Sequence, residues 1–158
     1  MSGAYSPVSV EDAKSFEDRS LQRLRSAGYR ITMPRVQVIR ALADSPVALS
    51  AYAIHDKIIS SGGKIDVVSV YRILNTLQDV GLIHHIGVVD GYYASRIAES
   101  SNGTAQHLVC DSCGLVTELG VATEIVTATE QQAERAKFAP KGIKVEVTGE
   151  CESCQKAS

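Results

Sequence analysis

Four cysteines stand in two close pairs, Cys110-Asp111-Ser112-Cys113 and Cys151-Glu152-Ser153-Cys154, separated by 37 residues. Two such knuckles supply four thiolates, and structural zinc takes four soft ligands in a tetrahedron, at about 2.3 Å, with no position left open. Gly114 follows the first pair directly and Gly149 lies just before the second, where a glycine lets the backbone turn tightly around an ion. A redox dithiol and a coincidence of spacing are the competing readings, and in a reducing compartment paired cysteines favour the metal. Zinc-bound thiolates can also be oxidised and release their ion, so a redox switch stays open.

The sequence offers little for catalysis. No Ser/His/Asp constellation, phosphate-cradling glycine loop or open three-ligand zinc motif is visible, and zinc held by four cysteines has no position for a substrate. The chain is therefore not expected to be an enzyme or to take a small-molecule substrate. His55 reads as an ordinary surface or core histidine. No apolar run approaches the roughly 18 residues of a membrane span, and the start, Met1-Ser2-Gly3-Ala4-Tyr5-Ser6-Pro7, lacks a basic cluster followed by an apolar core. A cytoplasmic protein with no membrane partner is expected.

The elements that must position these groups follow from periodicity. A first amphipathic helix runs from Val10 to Ala27, with Phe16, Leu21 and Leu24 on one side and Gly28 as its stop. Thr32 caps a second, with Pro34 in its first turn and Val36, Ile39 and Leu42 in its stripe, until Asp44-Ser45-Pro46 breaks it. Ser50 caps a third, carrying Ile54, Ile58 and Ile59 and ending at Ser61-Gly62-Gly63. Asp66 caps a fourth, whose apolar row is Val67, Val70, Tyr71, Leu74 and Leu77, running to Gly81. Its outward residues, Ser69, Arg72, Asn75, Thr76 and Gln78, are hydrogen-bonding groups suited to base edges and phosphates.

Beyond Gly81 the period changes to that of strands. Leu82-Ile83-His84-His85-Ile86 and Tyr92-Tyr93-Ala94 flank Val89-Asp90-Gly91, and Asp-Gly is a strong hairpin signal. Helices followed by a hairpin predict a winged helix-turn-helix, which lays its last helix in the major groove and its hairpin along the backbone. Around the cysteines, Leu108-Val109, a strand Leu115 to Leu119, a helix Ala122 to Lys137 and a strand Ile143 to Val147 make a small α+β unit. A core of that size is marginal, so zinc joining its first strand to its last would carry much of the folding free energy, and dimerisation would add more. The predicted class is α+β, divided into residues 1–82 (winged-helix DNA-binding domain), 83–96 (wing and hinge) and 97–158 (dimerisation and metal-binding domain).

Charge agrees with that division. Residues 1–80 carry 10 Lys+Arg and 8 Asp+Glu, or +2, and residues 81–158 carry 6 and 10, or −4, which together give the net −2. Arg19, Arg23, Arg25, Arg30, Arg35 and Arg40 follow one another without an intervening acid, a basic surface for phosphates. A solvated helix face, or a structural-zinc module whose basic helices dock on an acidic protein partner, would show the same run.

From about Asp18 onward the chain resembles the ferric uptake regulator family, and most closely its zinc uptake regulator branch. The resemblance is carried by Gly28-Tyr29-Arg30-Ile31-Thr32-Met33-Pro34-Arg35, Ser69-Val70-Tyr71-Arg72-Ile73-Leu74, Gly81-Leu82-Ile83 and His107-Leu108-Val109-Cys110-Asp111-Ser112-Cys113-Gly114. It implies a homodimeric, metal-activated repressor of metal homeostasis genes that binds palindromic double-stranded DNA. Tyr71 and Arg72 match positions that meet DNA, with Arg30, Arg35, Ser69 and Asn75 the further candidates, and the four cysteines match a structural zinc. The resemblance also implies a second, regulatory divalent metal near the hinge, to which His84, His107 and Glu118 are matched, with His85 or Glu99 as candidate fourth ligand. Ala105 and Ser95 depart from the pattern, standing where a histidine and a Cys or Glu ligand are usual. Zinc suits this imidazole and carboxylate set, although iron, manganese and nickel accept similar ligands.

Overall fold

The computed structural model describes residues 8–97 and 104–158. Each of the first four helices begins at a side chain that caps it. Ser9 precedes α1 (Val10–Ser26), Thr32 precedes α2 (Met33–Ala43), Ser50 precedes α3 (Ala51–Ser60) and Asp66 precedes α4 (Val67–Asp79), and each accepts a hydrogen bond from an N–H of its own first turn. These caps satisfy donors that a helix start leaves unpaired, so the boundaries are set locally. The apolar faces then converge on one core that includes Phe16, Leu24, Val38, Ile39, Leu42, Ile54, Val70, Leu74 and Leu77. Within α4 the periodicity puts Tyr71 in the apolar row. Instead Tyr71 is 42% exposed and Ile73, 8% exposed, packs inward, because α2 and α3 cover the other flank of the helix.

A two-stranded hairpin follows, β1 (Ile83–Ile86) antiparallel to β2 (Gly91–Ala94), with Ile83 opposite Ala94 and Ile86 opposite Gly91. Its turn is longer than the Asp-Gly pair suggested: Gly87–Val89 form a 3-10 turn and Asp90 takes the left-handed conformation at φ 47°. Gly91 is needed for a different reason. A Cβ there would lie 2.9 Å from the Cβ of Ala48 and 3.2 Å from its carbonyl carbon, where the 47–49 segment lies against β2 through the Leu49–Tyr92 bridge.

The C-terminal part is a three-stranded sheet in the order β4-β3-β5. The central strand β3 (Ala105–Cys110) pairs antiparallel with β4 (Val116–Gly120) and parallel with β5 (Val145–Gly149), and α5 (Thr123–Arg135) makes the crossover a parallel pair requires. The strand expected at Ile143 to Val147 begins two residues later. A short helix, α6 (Glu152–Ala157), which no periodicity in the sequence signals, follows β5.

The hairpin does not stand apart from this sheet. Ile86 and Tyr93 from the hairpin pack with Val109 and Val116 from the sheet in a second small core. Val116 N–H donates to the Pro46 carbonyl at 3.0 Å and the Tyr93 hydroxyl to the Val116 carbonyl at 3.3 Å. No helix among the described residues is long and apolar enough to cross a membrane.

Candidate metal centres and nucleic-acid interface

The two knuckles meet because β3 and β5 run parallel side by side, with Cys110 opposite Gly149 at their ends. Cys110 closes β3, and the chain turns back through Gly114, at φ 79°, so that Cys113 faces it. Gly149 does not share that role: it is not in the left-handed region, and a Cβ on it would meet nothing within 4 Å. Cys151 and Cys154 lie at the N-cap and within α6. The four sulfurs all lie within 4.8 Å of one another, with Cys113 Sγ and Cys151 Sγ 3.7 Å apart. A tetrahedron with arms of about 2.3 Å has edges of about 3.8 Å, so the set fits a structural zinc and no disulfide.

The thiols do not titrate alike. Backbone N–H groups of Cys151 and Cys113 lower the Cys110 thiol to about 6, while hydrogen bonding to the Cys151 thiol and burial push Cys154 up to about 12. Four sulfurs this close cannot all ionise against one another unless a cation sits among them, and the thiolate is the form that binds metal.

The second cluster joins the hairpin to the sheet. His107 on β3 stands opposite Glu118 on β4, and His84 reaches the same carboxylate from β1. Their Nε2 atoms lie 3.2 Å (His107) and 3.3 Å (His84) from Glu118 Oε2, with ring centroids 4.8 Å apart. The Glu118 side chain is only 3% exposed, and its other oxygen accepts the N–H of Arg96 at 2.7 Å and of Ile97 at 3.1 Å. Burial alone raises the carboxyl, but hydrogen bonds from His107, His84, Arg96 and Ile97 outweigh it and hold Glu118 well below the usual carboxylate range. A buried, ionised carboxylate facing two imidazoles is a donor set that a divalent cation of the zinc type fits.

Not every expected residue arrives there. His85 alternates to the opposite face of β1, where its Nε2 lies 2.8 Å from Asp90 Oδ1 and its ring meets Tyr92 edge-on. Glu99 lies outside the described residues. Ser95 Oγ is 3.5 Å from Glu118 Oε1, and Ala105 lies two residues before His107 at the start of β3. His55 pairs with Asp56 on α3, away from both clusters.

Arg96 carries no local signature in the sequence, yet it ties the second cluster to the helical core. Its N–H holds Glu118 while its guanidinium donates to the carbonyls of Ala43 and Ser45 at 2.8 and 3.3 Å, at the C-terminal end of α2, and lies over the Tyr93 ring. Part of the basic run is likewise turned to structural use, contrary to its reading as one phosphate-facing surface. Arg19 donates to the Ser95 carbonyl, Arg23 to the Val80 carbonyl at 3.1 Å, and Arg40 pairs with Glu17 at 2.8 Å. Arg30 is exposed, and Arg35 lies over the Tyr29 ring while donating to the Arg30 carbonyl. On α4, Tyr71, Arg72 and Asn75 are exposed along one side, and Ser69 donates its hydroxyl to the capping Asp66.

The sequence profile of the ferric uptake regulator family matches residues 26–148. The ferric uptake regulation protein of Legionella pneumophila is 32% identical over 136 residues, spanning 85% of this chain and 97% of that protein. A zinc uptake regulator solved in complex with zinc and DNA shares the fold at a TM-score of 0.83 and 23% identity, over 92% of this chain and 96% of that one. Holo XcZur superimposes with a TM-score of 0.78 at 27% identity, over 90% of this chain and 98% of its own, whereas apo XcZur, at 29% identity, reaches 0.54 over 92% and 99%. The chain belongs to the ferric uptake regulator family, metal-responsive transcription regulators that bind DNA as homodimers and are not enzymes.

Proposed function

We propose that this chain is a cytoplasmic, zinc-sensing repressor in which His84, His107 and Glu118 hold the regulatory ion and Cys110, Cys113, Cys151 and Cys154 the structural one. The observation that carries the reading is that His84 belongs to the hairpin whereas His107 and Glu118 belong to the C-terminal sheet. An ion shared by the three fixes the orientation of the helical head on the dimerising platform. The chain then divides functionally into residues 1–82, 83–96 and 97–158. The better superposition on holo than on apo XcZur supports taking this arrangement as the metal-competent one. Exposed Leu119, Ile125, Phe138 and Val147 supply an apolar surface of the kind a second copy covers.

On the DNA side, Tyr71, Arg72 and Asn75 of α4 read the groove, and Arg30 and Arg35 neutralise phosphates. Ser69 serves first as part of the α4 cap. A bound ion would supply only a cross-link between the hairpin and the sheet, through His84, His107 and Glu118. The residues of this chain do the rest: the Glu118 carboxylate is kept ionised by its backbone donors, and Arg96 relays its position to the end of α2.

The test is operator binding in metal buffers. A palindromic duplex selected from a randomised pool by the zinc-loaded protein is titrated by fluorescence anisotropy at controlled free zinc, iron(II) and manganese(II). Zinc is expected to bring on binding at the lowest free concentration, with a steep fall in affinity as salt rises. Binding that ignores metal refutes the regulatory site, and activation by iron(II) at lower free metal refutes zinc as the signal.

A further inference from the structure

The sheet face that carries His107 and Glu118 holds a second acid in the same row. In register, His107 lies opposite Glu118 on β4 and opposite Glu146 on β5. The two acids grip the hairpin at its two ends. Glu118 takes the segment leaving β2, through the N–H groups of Arg96 and Ile97. Glu146 takes the turn: Oε1 accepts the Gly87 N–H at 2.8 Å and Oε2 the Val88 N–H at 3.0 Å. Lys144, two residues earlier on β5, adds a bond from Nζ to the His85 carbonyl at 3.3 Å.

This is a bidentate contact. Both carboxylate oxygens are used by adjacent amides from the opposite part of the chain, and charge-assisted bonds of this type are roughly twice as strong as neutral ones. Only backbone is taken: Val88 and Val89 stay about half exposed, at 51% and 48%. The turn is thus held from beneath while its outer surface remains open. The partners of the Glu146 carboxylate are backbone amides of the turn and not ligand side chains, so the clasp forms without metal.

We propose that Glu146 is a positioning residue, a clasp that forms without metal and pins the wing turn to the C-terminal sheet so that the regulatory ion has only the other end of the hairpin to fix. The proposal rests on the reading of the hairpin as a metal-controlled wing. With the turn held, His84 stays close to His107 and Glu118 before any ion arrives, which raises metal affinity by pre-organisation. Linkage makes the effect reciprocal: whatever factor the clasp adds to metal affinity, the metal adds to the clasp.

Three measurements on the full-length protein test this, comparing wild type with Glu146→Ala and Glu146→Gln. Amide hydrogen exchange at Gly87 and Val88 is expected to accelerate by about tenfold or more in the Ala variant, with and without added zinc, as the loss of charge-assisted bonds implies. The Gln variant, which keeps one acceptor and guards against misfolding in the other, falls between. Cobalt(II) binding at the labile site, read from its ligand-field absorption, weakens several-fold while the tightly held zinc stays at one per chain. Unchanged exchange at the two amides in both variants overturns the clasp, and faster exchange with unchanged cobalt affinity overturns its coupling to the metal. If instead Glu146 protects the turn but zinc leaves DNA binding unaltered in the wild type, the clasp stands and the proposed function fails.

Discussion

Replacing His84 by alanine is expected to separate metal binding from metal response. Moving a head from about 1% to about 99% in the operator-competent orientation requires the ion to favour that orientation by about 10⁴, or roughly 5.5 kcal/mol. Of the three donors, His107 and Glu118 face each other across one register pair of a single sheet, and only His84 comes from the hairpin. An ion left on His107 and Glu118 meets the same two ligands however the head is turned. A ligand with equal affinity for two states shifts neither, so the zinc-induced gain in operator affinity is expected to collapse toward unity rather than to fall in proportion to lost ligands. Without metal the substitution costs little. The His84 side chain is 32% exposed and Glu118 keeps His107 and two backbone donors, so about 1 kcal/mol or less of stability is at stake. The assay is anisotropy on the operator duplex with and without buffered zinc, beside elemental analysis showing the tightly held zinc retained. Full zinc-dependent tightening in His84→Ala would refute the bridging argument outright.

Further outcomes follow from the same geometry. Arg72→Ala is expected to weaken operator binding by about tenfold and to lower the slope of log affinity against log salt by about one, with zinc content unchanged; an unaltered slope removes Arg72 from the phosphate contacts. Gly91→Ala sets a Cβ 2.9 Å from the Cβ of Ala48 and is expected to cost about 1–3 kcal/mol, seen as a lowered thermal midpoint, whereas an unchanged midpoint means the 47–49 segment yields freely. The Ser69 hydroxyl and N–H hold the Asp66 carboxyl below its ordinary value of 3.8, so its stabilising contribution is complete above that value and is lost as pH falls through the lower folded one. The stability gap between wild type and Asp66→Asn is therefore expected to narrow below about pH 4, and a gap that widens with acid contradicts the cap.

What was legible in the sequence was what is decided locally. Thr32, Ser50 and Asp66 announced three helix starts because a cap and its donor lie within three residues. The two C-x-x-C pairs declared a four-sulfur site because each knuckle is itself a local motif. The choice between Tyr71 and Ile73 was not local. Both flank the buried stripe of α4, and only the packing of α2 and α3 settles which flank is covered. The alternation of β1 did hold a usable signal, since adjacent His84 and His85 cannot face the same sheet. Glu118 was legible only through the family resemblance, whereas Arg96 and Glu146 depend on contacts between segments far apart in sequence. Their roles appear only once β3 lies between β4 and β5 and the hairpin lies against that sheet. The arginine run misled in part for the same reason: Arg19 and Arg23 find carbonyls at Ser95 and Val80, which no spacing rule foretells.

Two separate ions per chain are expected, one among sulfurs and one bridging hairpin and sheet. Anomalous diffraction at the zinc edge, on crystals grown with zinc and again after mild chelation, addresses this directly. Two peaks are expected with zinc, one among Cys110, Cys113, Cys151 and Cys154 and one among His84, His107 and Glu118, and chelation is expected to erase only the second. A single peak in both data sets, or a second peak that lacks His84, would contradict the account.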